Sequence, residues 1–415
     1  MKRRDAASKV RPHDGSKMKI LIINYEFPPL GGGGGVASND LALEWAKTAQ
    51  VDVLTSWYRG LPYYEEVHGI RVYRAKIFFR KSRDAATFIS MLSYLPFGFF
   101  KGLRLCRENR YDVINTHFAV PSGPLGYVLG KIFRIPNVLS LHGGDIYDPS
   151  KKMSPHKSPF FSRVVRFILN CADRIVAQSS NTRDNTIRYY APKKEIEIIP
   201  LAFHPPVLPR ITRKKLGIAD TDFILVTIGR LIKRKAIDVM IEALLEADDA
   251  NIKLMIMGDG PEREYLESLV KRMKLQKRVT FLGFVSDQDK YNYLSTADLF
   301  ISTSLHEGFG IVFMEAMHCG LPIVCSDVGG QVDFLRDEEN ALLVPVGDAR
   351  RCAESVQRFY TDKKLYSKCS GNNIKKVKDF LAAPVARNYV EIFNEVTGLH
   401  GEGSGKELRA FIKQP

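Results

Sequence analysis

Short apolar runs recur along the chain, each followed by a stretch in which apolar residues return with helical spacing. In the first half they occupy residues 20–23, 51–54, 113–115, 138–141 and 175–177; in the second, 223–228, 254–257, 279–282, 299–302 and 323–325. Continuous β-rich runs predict strands buried on both faces, with the intervening helices as cover. The pattern predicts an α/β chain of two doubly wound, Rossmann-like domains with parallel sheets.

Between the two sets lies Pro200-Leu-Ala-Phe-His-Pro-Pro-Val-Leu-Pro209. Four prolines in ten residues cannot continue a helix or a central strand, so this stretch reads as the interdomain connection. The expected organisation is a basic flexible tail (1–18), an N-terminal domain (19–203) and a C-terminal domain (204–384). A terminal helix (385–398) closed by Gly398 and a frayed tail (399–415) follow.

With 415 residues, 45% apolar and 26% charged, the composition is that of a folded globular protein and excludes a mainly disordered or multi-spanning chain. The richest apolar segment, 88–105, is interrupted by Pro96, Gly98, Lys101 and Arg104 and falls short of a spanning helix. Residues 1–19 lack the apolar centre of a secretory signal. The six cysteines form no CxxC pair, so neither a zinc site nor a redox motif is signalled and a reducing cytoplasm is expected. Charge is more telling once divided. Up to Arg210 there are 32 Lys and Arg against 17 Asp and Glu; beyond it there are 29 of each, so the whole +15 sits in the first half. One domain is expected to face an anionic partner, either a membrane surface or an acidic substrate.

Ligands of doubly wound sheets bind at the carboxyl ends of strands, so the loop after each run is the place to look. After the first comes Asn24-Tyr-Glu-Phe-Pro-Pro-Leu and then five glycines, Gly31 to Gly35, leading into a helical segment. Such a junction exposes N–H groups at a helix N-terminus and suits phosphate; a flexible linker and a Rossmann dinucleotide site are the alternatives. In the second half, Gly229-Arg-Leu-Ile-Lys-Arg-Lys235 places up to four cations after a strand. Arg230 and Lys235 are assigned to an anion site and one or both of Lys233 and Arg234 to solvated surface. Met257-Gly-Asp-Gly-Pro261 is either a close-approach loop or a plain turn. In Ser302-Thr-Ser-Leu-His-Glu-Gly-Phe-Gly310, running into a helix that contains Glu315, seven residues separate two carboxylates, Glu307 and Glu315. Both could reach one ligand at the helix N-terminus, although a capping role for Glu315 and the paired carboxylates of a glycosidase are competing readings. His117 and His142 each follow a strand; His142, before Gly143-Gly-Asp145, suits hydrogen bonding or proton relay.

These residues together resemble the donor-site signature of glycosyltransferase family 4, the retaining nucleotide-sugar enzymes of the GT-B fold, over about 380 residues. The resemblance rests on Gly229-Arg230 with Lys235 and Asp238, on Met257-Gly-Asp-Gly-Pro261, and on Glu307-Gly-Phe-Gly310 with Glu315. The glycine loop, with Gly33, Gly34 and Gly35, resembles the family's diphosphate-contacting loop, and His142 its active-site histidine. One departure is Ala236, where the family usually has glycine and where a methyl group is expected to narrow the donor pocket.

The resemblance implies a UDP- or GDP-sugar held in the interdomain cleft, with no cofactor and no metal. Arg230 and Lys235 would neutralise the leaving diphosphate beside Gly229 and Gly258. Glu307 would hold the transferred sugar near its 3- and 4-hydroxyls and Glu315 the ribose, while the backbone of Gly308, Phe309, Gly310, Ile311 and Val312 completes the contacts. His142 would bond the sugar and stabilise charge at its anomeric carbon; His117 and Asp145 are placed on the acceptor side. The N-terminal domain would bind a glycan or lipid-linked acceptor. Its cations, Arg80, Lys81, Arg83, Lys151, Lys152, Lys157, Arg163 and Arg166, beside the aromatic segment 88–100, suit an anionic membrane at the inner face of the cell. Packed core is the alternative for that segment. A GT-B epimerase or phosphorylase is the second expectation. A nucleic-acid binder is a remoter one, because no zinc-finger, RRM or basic-zipper pattern is present.

Overall fold

The structure is a computed structural model, described for residues 17–83, 86–150 and 153–398. The second tail, nearly all of the first, and Lys151 and Lys152 lie outside the described residues.

The N-terminal sheet has eight strands: β1 (Lys19–Asn24), β2 (Gln50–Ser56), β3 (Tyr64–Val67), β4 (Ile70–Ala75), β5 (Val113–His117), β6 (Asn137–Leu141), β7 (Arg174–Ala177) and β8 (Ile196–Ile198). Their order is β3-β4-β2-β1-β5-β6-β7-β8, parallel except where β3 pairs antiparallel with β4. The second sheet contains β9 (Phe223–Ile228), β10 (Ile252–Met257), β11 (Val279–Gly283), β12 (Leu299–Ser302), β13 (Ile323–Ser326) and β14 (Leu342–Val344), all parallel in the order β11-β10-β9-β12-β13-β14. Each of the ten apolar runs forms a strand, and Ile20, Ile22, Val113, Leu254 and Phe300 are fully buried. Four strands were not visible as runs: β3 is mostly exposed, β4 interleaves Arg71 and Arg74 with its apolar residues, and β8 and β14 span three residues each.

Helices cover both faces of the sheets. In the first domain they are α1 (Gly33–Ala46), α2 (Phe88–Glu108), α3 (Gly123–Phe133), α4 (Pro159–Cys171) and α5 (Ser180–Tyr190). In the second they are α6 (Ile237–Glu246), α7 (Arg263–Arg272), α8 (Asp287–Leu294), α9 (Ile311–His318), α10 (Ala349–Thr361) and α11 (Lys363–Lys376). The last helix, α12 (Ala382–Thr397), ends at Gly398 in the left-handed conformation and packs on the first domain. Trp45 meets Tyr389 and Phe393 at centroid distances of 5.7 and 5.1 Å and donates through Nε1 to the Ala386 carbonyl at 3.1 Å.

The chain therefore crosses between the domains twice, and the crossings are bonded to each other. Phe203 N donates to Phe380 O at 2.8 Å and Ala382 N to Phe203 O at 2.9 Å. Asp40 of α1 fixes the same point by accepting from His204 N at 3.0 Å. Burial raises the Asp40 carboxyl to about 7, against the hydrogen bond from His204. A carboxyl raised in the fold contributes stability that is complete below its ordinary value of 3.8 and is lost as pH climbs through about 7. Asp40→Asn should therefore melt like the parent near pH 4 and a few degrees above it at pH 8. Melting temperatures across that range check this, and parallel pH curves for the two proteins would refute it.

Candidate active site

The carboxyl ends of both sheets open onto one cleft of about 790 Å³, in the range of small-ligand sites. From the first domain, Gly32, Gly33 and Gly34 form one lip. The N-terminus of α1 has no side-chain cap, so its first N–H groups are open to an anion. The approach is close: a Cβ on Gly33 would come within 3.1 Å of the Ile311 side chain, and one on Gly34 within 3.0 Å of His142 Nδ1. Gly35 instead packs on the Glu26 carbonyl, 2.6 Å from where its Cβ would stand, and does not line the cleft.

The opposite wall comes from the loops after β9 and β12. A 3-10 turn, Lys233–Lys235, follows β9, and its three residues per turn fan their side chains apart. Lys233 is exposed, while Arg234 and Lys235 turn toward the neighbouring loop. There Glu307 accepts from Lys235 Nζ at 2.6 Å, Ser304 Oγ at 2.8 Å and Arg234 Nη1 at 3.0 Å. Burial alone would raise the Glu307 carboxyl, but the charges of Lys235 and Arg234 outweigh it and hold it at about 2. Arg234 also donates to the His306 carbonyl and approaches Asp148 of the first domain at 3.8 Å, so this ion cluster spans the cleft. Of the two cations for which solvated surface was expected, one or both, Lys233 is there and Arg234 is not. Arg230 lies on the cleft wall and is exposed.

The floor is where the domains touch. Ser179 Oγ donates to the Gly308 carbonyl at 2.7 Å and Ser180 N to Asp333 at 2.6 Å. Gly308, Phe309, Gly310, Ile311 and Val312 bring their backbone to the cleft at the N-terminus of α9, where Gly310 has φ 92. The Phe309 ring itself points into the core against Phe334 and Phe380. Gly229 lines the cleft under the Lys235 side chain, whereas Gly258 does not line it and packs on the Gly229 backbone.

Glu315 is set apart from Glu307. It receives Lys290 Nζ at 2.6 Å, is not among the cleft-lining residues, and is raised by burial above the ordinary carboxylate range despite that cation. The acceptor-side placement of His117 and Asp145 does not match their surroundings. His117 is fully buried behind His142, with its Nδ1 2.9 Å from His142 Nε2. Asp145 touches the cleft, but its two oxygens accept from the backbone N–H of Ala119 at 2.6 Å and of His142 at 3.0 Å. Its evident work is to hold the loops that carry His142. Ala236 leaves the pocket alone, being buried and off the cleft; its left-handed backbone, φ 45, is what a glycine would relieve. Ser304, Asp148 and Gln178 join the site without having been singled out, and Arg234 joins it from the basic run, where it was expected as solvated surface. Among the described residues, no three His, Cys, Asp or Glu side chains gather as a metal site would require.

Comparison with known proteins settles the family. Residues 31–205 match the profile described as Glycosyltransferase Family 4, and residues 210–376 match that described as Glycosyl transferases group 1. The chain is a family 4 glycosyltransferase.

An uncharacterized glycosyltransferase of Methanocaldococcus jannaschii is 29% identical over 395 residues, 86% of this chain and 96% of that one. N-acetyl-alpha-D-glucosaminyl L-malate synthase of Bacillus anthracis is 27% identical over 406 residues, 94% of this chain and all of the other. The solved Anabaena HepE in complex with UDP-glucose has a TM-score of 0.74 at 23% identity, covering 91% of this chain and 100% of that one. The two sheets and the cleft between them are thus the GT-B architecture of a family 4 glycosyltransferase.

Proposed function

We propose that this glycosyltransferase moves a sugar from a UDP- or GDP-sugar to a glycan or lipid-linked acceptor, with retention of the anomeric configuration and without a metal ion. The ion cluster around Glu307 carries the reading. A carboxylate held ionised and aimed by two cations is a ready acceptor for sugar hydroxyls. Lys235 and Arg230 line the same cleft as the glycine lip, and their fixed charge would neutralise a departing diphosphate bound between them. His142 lines the cleft from the first domain, where it would bond the sugar and stabilise developing positive charge. The HepE complex with UDP-glucose supports a nucleotide sugar as donor.

We place the enzyme in the cytoplasm as a peripheral protein at the inner membrane face. No helix among the described residues is long and apolar enough to cross a membrane. Segment 88–100 divides between core and surface: Tyr94 is fully buried, while Phe88, Ile89, Leu92, Phe97 and Phe100 are exposed. Phe78, Phe79 and Phe160 extend this apolar surface, Lys76, Lys81, Arg83 and Lys157 are exposed nearby in the chain, and Met91 of the same helix lines the cleft. An apolar face among cations, next to the cleft, suits insertion into anionic lipid.

The test combines three readings on the purified protein. UDP or GDP, but not inorganic phosphate, should raise the melting temperature equally with EDTA and with magnesium. NMR of the product should show the donor's anomeric configuration. Vesicles containing anionic lipid should sediment the protein, and Phe79→Ser with Phe100→Ser should release it. An inverted product, or activity that EDTA removes and magnesium restores, would overturn the mechanism; recovery only in the supernatant would overturn the membrane assignment.

A further inference from the structure

We propose that Asn115 and His117 are positioning residues that fix His142 as the tautomer protonated on Nε2, leaving Nδ1 a bare hydrogen-bond acceptor at the cleft floor. The Val138 carbonyl can only accept. Asn115 Nδ2 lies 3.1 Å from Val138 O and 3.1 Å from Ser140 Oγ. Only an N–H can face Val138 O, so the other amide atom, Oδ1, is the one 2.7 Å from His117 Nε2. An amide oxygen accepts, so His117 Nε2 carries a proton.

His117 and Asn115 are fully buried, and burial together with His142 pushes the His117 imidazole well below its ordinary value. His117 is then neutral, and with Nε2 protonated its Nδ1 has a lone pair. That lone pair faces His142 Nε2 at 2.9 Å, so His142 Nε2 donates. Burial holds His142 down to about 4, which leaves its Nδ1 without a proton at neutral pH. This atom is buried with no hydrogen-bond partner. It lies under Gly34, near enough to the Gln178 amide to gain some proton affinity from it. The relay continues outward, since Ser140 Oγ bonds Tyr389 of α12 at 3.0 Å. The terminal helix therefore closes the far end of a chain of bonds that begins in the cleft.

The chemical consequence rests on the glycosyl-transfer reading: His142 can accept a hydrogen bond from a sugar hydroxyl but cannot act as a general acid near pH 7. The tautomer itself is independent of that reading, and the experiment separates the two. Long-range proton–nitrogen spectra of the full-length protein with labelled histidine, without substrate, should show both His117 and His142 protonated on Nε2 only, assigned with single His→Gln variants. His142 protonated on Nδ1, or on both nitrogens at pH 7, overturns the proposal.

In turnover, His117→Leu should lower kcat by about tenfold or more, with donor KM moving much less, and should release His142 into a tautomer mixture. His117→Asn, whose Oδ1 takes the place of Nδ1, should recover most of the loss and restore the single tautomer. Equal kcat for the Leu and Asn variants overturns the positioning role. Correct tautomers with no transfer from any nucleoside-diphosphate sugar leave the relay standing and sink the glycosyl-transfer reading.

Discussion

Glu307→Gln is expected to lower kcat by two to three orders of magnitude while nucleoside-diphosphate affinity is held or improved. The side chain keeps its shape and one accepting oxygen but loses its charge. In the parent, that charge is held at about 2 by Lys235 and Arg234 in spite of burial, so the carboxylate is ionised throughout the working range. A preorganised charged contact to the reacting group is worth about 3–4 kcal/mol in comparable sites. Nucleoside-diphosphate affinity depends on the partners of Glu307. With Glu307 neutral, Lys235 and Arg234 lose their counter-charge in a part-buried site, and an incoming diphosphate supplies it. A uniformly structural Glu307 would give the opposite pattern, with weaker binding and kcat little changed. Single-turnover rates and UDP and GDP titrations distinguish the two, and a kcat within tenfold of the parent would remove Glu307 from the chemistry.

The double role of Lys235 and Arg234 shows where sequence reading stops. The ten strands were legible as apolar runs, whereas β3, exposed and carrying Glu65 and Glu66, and β4, buried but interrupted by Arg71 and Arg74, left no such mark. The return of α12 to the first domain was not legible, because Val385, Tyr389 and Phe393 read as an apolar stripe wherever they dock. Within the site, residue type identified cations and carboxylates but not their pairing. Arg230 and Arg234 are the same residue four positions apart; a short 3-10 turn sends the second to Glu307 and leaves the first exposed. Asp145 and His117 show the converse. Polar residues after strands suggest ligands, yet both satisfy internal partners, and only coordinates reveal that.

Glycines are the sharpest case, since the sequence treats them alike and the structure gives them different work. Gly258→Ala should cost at least about 3 kcal/mol of stability, from left-handed backbone strain together with a clash that cannot relax. Gly258 has φ 131, and its Cβ would stand 2.0 Å from the Gly229 carbonyl oxygen. Both partners are backbone, and the loops are tied by Gly229 N to Met257 O at 3.0 Å and Gly258 N to Gly283 O at 2.7 Å. Pushing Gly229 aside would also move the floor under Lys235, so anion binding falls with the fold. Gly34→Ala is the contrast. Its added methyl meets side chains only, Phe118 and His142, at 2.9 and 3.0 Å, which can give at modest cost but would cover the unpartnered Nδ1 of His142. It should melt within a few degrees of the parent and lose turnover. Urea unfolding and turnover measured on both variants decide the matter: if Gly258→Ala were as stable as the parent, or Gly34→Ala as active, the division between a packing glycine and a site glycine would be wrong.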